Sequence, residues 1–171
     1  MTDQSSVPSI SMDERLARFV LFSRWIRRSG NTETVKADAF IPHPYPNLSV
    51  TRHLLLSEQA LWRIGNEVAK VRSATLYGSA DITVADATNN KLQVAPAPVP
   101  GNPNHANVIG WPLDKPAQKI IALELGGRCD IREPTELNPL AADQVVPSWP
   151  AAASRVLTCD RGAADEVRVR D

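Results

Sequence analysis

Neither sign of charge is in excess in this sequence: 19 lysines and arginines stand against 19 aspartates and glutamates. A generic polyanion binder gains affinity by releasing counterions at many Lys and Arg contacts, so the balance argues against nucleic acid as a partner. Cysteine is scarce, with only Cys129 and Cys159. Both lie far from the histidines in sequence, so they make neither a metal-spaced group nor a disulfide scaffold. No apolar run approaches the roughly 18 residues of a membrane span, and Met1 to Met12 is polar rather than an apolar leader. We therefore expect a cytoplasmic protein without a membrane segment. A glycine-rich phosphate loop is also missing, since the glycines are mostly isolated, and no cofactor is expected.

What the chain has in abundance is proline, 14 residues clustered at 42–46, 96–103 and 112–116. Proline fixes φ and removes a donor, so these clusters mark loops, edges and extended segments. At 171 residues the chain suits one domain with a real core. The apolar block Leu16 to Ile26 is rich in aromatic and β-branched residues, which favours a strand over a helix. The turn chemistry of Ser29-Gly30-Asn31-Thr32 then predicts a hairpin, with Val35 to Ile41 as the returning strand. Leu48 to Leu54 reads as a strand. Ser57 is a good N-cap for a helix over Glu58–Val71, whose Leu61, Ile64, Val68 and Val71 recur at helical spacing. Further strand material lies at Ala74–Ala85 around Gly78, at Leu92–Ala95 and at Ala106–Trp111. A second helix, Ala117–Leu125, is expected to stop at Gly126-Gly127.

The expected fold is a single α+β domain over residues 13–126. A twisted, mostly antiparallel sheet of five or six strands packs on the Glu58–Val71 helix, with the second helix at its margin. A half-open barrel is the alternative. Residues 1–12 are expected to be disordered, and residues 127–171 to form an irregular tail contributing little to the core.

All three histidines fall between Phe40 and Trp111, beside prolines, an arginine or asparagines. Histidine is the side chain most easily tuned for acid–base work near neutral pH. His105, in the loop Asn102-Pro103-Asn104-His105, is the candidate acid–base group. Arg52 could clamp a phosphate or carboxylate with its fork. Strand alternation sends Ser49 and His53 to one face, and Val50 and Arg52 to the other. His53 would join a catalytic set only in an enzyme, and it is the one local base for Ser49 as a nucleophile. His43, Tyr45, Asn104 and Trp111 complete the candidate binding set. Three histidines from separate segments, with no paired spacing, do not make a metal site. The arginines Arg15, Arg18, Arg24, Arg27 and Arg28 are read as a solvated basic face.

Two separated blocks, Leu48-Ser49-Val50 with Arg52 and Asn102-Pro103 with His105-Ala106, Val108 and Gly110, follow an upstream arginine (Arg18 or Arg24) and Phe40. In this order the chain resembles a group of small bacterial proteins of unknown function, over roughly residues 16 to 125. The resemblance implies a common small domain and a bacterial origin, and brings no activity with it. Two functions follow as expectations. One is a binding module that engages another protein through the proline-rich loops 42–47 and 96–104, which lose little entropy on binding. The other is a small enzyme acting on a phosphate-bearing or other anionic ligand, held by Arg52 and worked on by His105.

Overall fold

The computed structural model describes residues 9–42 and 44–134. The expectations for residues 1–8, for His43 and for residues 135–171 lie outside that range. Strand β1 (Arg15–Val20) is followed by a 3-10 turn at Ser23–Trp25, the short strands β2 (Ile26–Ser29) and β3 (Thr32–Val35), and a 3-10 turn at Ala37–Phe40. Then come β4 (Leu48–Arg52), α1 (Glu58–Val71), β5 (Gly78–Thr83), α2 (Val84–Asn89), β6 (Gln93–Pro96), β7 (His105–Ile109), α3 (Lys115–Arg128) and β8 (Asp130–Arg132).

Six strands form one antiparallel sheet in the order β6-β7-β4-β1-β5-β8, and β2 and β3 form a separate hairpin. The sheet is open, with β6 and β8 as its edges, so the α+β expectation holds and the sheet does not close into a barrel. Pro96 closes an edge strand, where its missing N–H costs no ladder bond.

Both faces of the sheet are covered. Leu16, Val20, Leu48, Val50, Ile82 and Val108 face a large core shared with Phe40, with Val84 and Ala87 of α2, and with Ala122 and Leu125 of α3. On the other face Ala17 and Phe19 of β1, with Leu21 just beyond it, meet Leu61, Ile64 and Ala69 of α1. Helix α3 thus belongs to the larger core rather than to the margin. Its reach corrects a second expectation, because Gly126 and Gly127 do not end it. Gly126 sits against the backbone of Val35 and Ala37, where an added Cβ would lie 3.3 Å from a carbonyl oxygen. It permits close packing instead of stopping the helix.

Three further readings are corrected. The opening strand stops at Val20, and its partners are β4 and β5. The Ser29–Thr32 turn joins β2 to β3 instead, and Ala37–Phe40 winds into a 3-10 turn that buries Phe40 completely. Strand β5 gives way to α2 at Thr83, because Thr83 and Asp86 form a reciprocal capping box. Asp130–Arg132 pairs with β5, and Ile10 packs on the core.

Candidate functional site

The two blocks that carry the resemblance are neighbours in space. Strand β4 pairs with β7 in the register Leu48↔Val108 to Thr51↔His105. On its other side β4 pairs with β1 only at Leu16↔Arg52 and Ala17↔Thr51. Beyond that point the two strands part, and Arg18 bridges the split. Its Nε donates to Ala39 O at 2.9 Å and its Nη1 to Ser49 O at 3.1 Å, while the guanidinium lies 5.5 Å from the Trp25 ring centroid.

A cavity of about 440 Å³ opens at this split, large enough for a small organic ligand. Arg18, Ser49 and Thr51 line its floor. Phe19, Phe22 and Trp25 make one apolar wall, and Ile64, Val68 and Val71 of α1 another. The loop Val99–Asn102 forms the rim, next to His105, and Glu67 and Arg72 stand at the α1 side. Arg18 carries a charge with no carboxylate ion-paired to it among the described residues. Burial, and after it the charge of Arg72, pulls its pKa down to about 10. It remains a cation at neutral pH, and the two acceptors it meets are neutral carbonyls.

His105 also lines the cavity. Its Nδ1 lies 2.6 Å from Ala97 O. A carbonyl can only accept, so Nδ1 carries the proton and Nε2 of the neutral ring is left as an acceptor. Asn102 is 5% exposed; its Nδ2 donates to Thr51 Oγ1 at 2.9 Å, and its Oδ1 has no hydrogen-bond partner among the described residues.

The other sequence candidates are dispersed. Arg52 projects to the opposite face of β4, where it meets Glu14 in a two-point pair at 2.6 and 2.9 Å, both side chains nearly sealed. It does not share a cleft with His105. Asn104 holds the loop through Arg52 O and Leu54 O. Trp111 is a core residue whose Nε1 donates to Val108 O. Tyr45 is exposed. The two proline-rich loops lie at opposite ends of β4, about 13 Å apart along a five-residue strand.

His53 lies on the α1 side, as alternation predicts, but its contact is Asp81. Its Nε2 is 3.0 Å from Asp81 Oδ2, a close approach without hydrogen-bond alignment. Asp81 also receives Ser79 Oγ at 2.7 Å and faces Arg15 and Arg132 at 3.5 and 3.6 Å. Burial opposes its charge, yet the approach of His53, the Ser79 bond and Arg15 outweigh it and hold the carboxyl below its usual value. A carboxyl depressed in the folded state adds stability that is complete above its unfolded pKa and is lost as pH falls through the folded one. Asp81→Asn should therefore cost about 1–2 kcal/mol at neutral pH and flatten the loss of stability below about pH 4. Urea unfolding across that range checks both.

Cys129 lies beside a second groove between the hairpin, α3 and β8. Burial, then Asp130, pushes its thiol up to about 11, so it stays protonated at neutral pH. Among the described residues no group of three or more His, Cys, Asp or Glu could hold a metal ion, and no helix is long and apolar enough to cross a membrane.

Sequence reasoning missed Arg18, Thr51 and Asn102 as site residues, and placed Arg18 on a solvated face. One signal was present: Arg18 interrupts the apolar run of β1 between Leu16 and Val20, a position that alternation assigns to a buried face. No family model matches the chain, and no match was found among curated proteins or solved structures.

Proposed function

We propose that this chain is a cytoplasmic binding module for a small organic anion with an apolar body, seated in the cavity between α1 and the split of β1 from β4. The observation that carries this reading is Arg18: a largely buried cation whose acceptors among the described residues are neutral carbonyls, at an apolar-walled cavity that Glu67 and Arg72 also line. A buried charge without a counter-charge is costly. A ligand carboxylate or phosphate would supply the missing charge and gain a charge-assisted bond in an environment of low dielectric. The apolar walls would cover a ring or short chain. The balanced charge of the whole chain and its two cysteines suit this setting.

A protein partner gripping both proline-rich loops finds less support, since the loops stand at opposite ends of β4 and the 96–104 loop instead borders the cavity. The enzyme reading keeps His105 at the cavity but loses Arg52 as its anion clamp to Glu14.

Calorimetric titration with benzoate, phenyl phosphate and neutral benzyl alcohol tests the proposal. The anions should bind at least about tenfold more tightly than the alcohol. Arg18→Met should erase the difference, and Arg72→Ala, at the exposed rim, should only weaken it. Equal binding of charged and neutral ligands, or none by any of them, would defeat the reading.

A further inference from the structure

The exposure of each lining side chain gives the cavity an inner end and a mouth. Phe19, Val50, Thr51 and Ile64 are buried and mark the inner end. Val71, on the last turn of α1, is 84% exposed, and Val99, on the rim loop, is 44% exposed. Both still line the cavity, so they mark its mouth. An exposed valine is ordinary on its own. Here the two continue the apolar walls of Ile64 and Val68 outward until they meet water.

Arg18 belongs to the inner end. Its Nε and Nη1 donate to the carbonyls of Ala39, which is fully buried, and Ser49. Its Nη2 donates to no described residue and is not sealed from solvent, so a ligand in the cavity can reach it. The charged groups at the other end, Glu67 and Arg72, are both exposed and of opposite sign. At about 440 Å³ the cavity has room for more than one ring. A dry cavity of about 150 Å³ is enough to take up benzene.

Building on the anion-binding reading, we infer that the ligand is an amphiphilic open-chain carboxylate that enters anion first. The carboxylate meets Arg18 at the inner end, and the acyl chain follows the apolar walls and leaves past Val71 and Val99. Each methylene that lies against those walls is removed from water and adds to affinity. The reverse orientation would set the chain against the Arg18 charge, and would leave the carboxylate in water between two side chains whose charges cancel. An esterified acyl chain, as in a lipid, has no charge to bring to Arg18, so the free acid is the form the site takes.

The test is calorimetric titration of the full chain with butanoate, hexanoate, octanoate and decanoate, each below its aggregation limit, and with methyl hexanoate as the uncharged ester. Hexanoate should bind about tenfold more tightly than butanoate, since a buried methylene is worth about fourfold. Decanoate should bind no more weakly than octanoate, because a chain that leaves through the mouth has no end wall to strike. Methyl hexanoate should bind at least about tenfold more weakly than hexanoate. Val71→Gln, at an exposed position, should cut the ratio of octanoate to butanoate affinity about threefold. Equal binding of butanoate and octanoate, a steep loss at decanoate, a ratio untouched by Val71→Gln, or no binding by the chains where benzoate binds overturns this inference and leaves the anion-binding reading standing. Equal binding of hexanoate and its methyl ester, or no binding by the chains and none by benzoate, overturns both.

Discussion

Glu14→Gln is expected to destabilise the fold by about 3–5 kcal/mol, the usual loss when one partner of a buried ion pair is removed. Glu14 and Arg52 are only 9% and 4% exposed in their side chains, and they meet through two parallel hydrogen bonds. The Glu14 hydrogen bond raises the Arg52 pKa even against burial, and a guanidinium keeps its proton at neutral pH when its partner is lost. Glutamine keeps the shape and one acceptor but removes the counter-charge. The cost lies in the stranded cation more than in the lost bond, so replacing both residues, Glu14→Leu with Arg52→Met, should recover most of the stability. Urea unfolding of the two single variants and the double variant measures this directly. A loss below about 1 kcal/mol in Glu14→Gln would mean that water reaches Arg52 freely, which would return it to contention as a ligand clamp. Benzoate affinity should not change in the double variant, because Arg52 lies across the sheet from the cavity.

Gly78→Ala is expected to cost about 2–3 kcal/mol, at the upper end of ordinary overpacking. Gly78 opens β5 at φ +157°, and an added Cβ would lie 2.4 Å from the carbonyl oxygen of Arg132. That oxygen belongs to the backbone of β8, so it cannot move aside as a side-chain tip would. The edge strand must shift, and with it go the pairing Ser79↔Arg132 and the Arg132 contacts to Asp81 and Glu58. Hydrogen exchange is the sharper readout: the Ile131 amide should lose protection while amides of β1 keep theirs. Unchanged protection in β8 would show that the edge absorbs the methyl group.

Helix α1 was legible in the sequence because its evidence is local. Ser57 caps it through the Ala60 N–H, and the apolar residues that follow repeat at helical spacing. Strands β4 and β7 were legible for the same reason, as was the split of Ser49 and His53 from Arg52, since side chains alternate whatever the strand's neighbours are. Helix α2 carried a local signal that was overlooked, the Thr83–Asp86 capping box. The reach of α3 through Gly126-Gly127 had no such signal. A glycine pair reads as a stop unless the chain is known to press against Val35 and Ala37.

The sequence by itself determined the α+β class, the main helix and the strands β4 and β7, because propensity, capping and period act over a few residues. Tertiary structure alone decided which polar groups have partners. Arg52 was a plausible anion clamp until Glu14, 38 residues away, occupied it. Arg18 looked like one arginine of a solvated face until β1 and β4 parted around it, leaving its charge beside an apolar cavity. His53 drew Asp81 from β5, and His105 drew Ala97 from the loop ahead of β7. Whether a charge is quenched or left to meet a ligand depends on strand pairing across distant segments, and local sequence energies do not encode that.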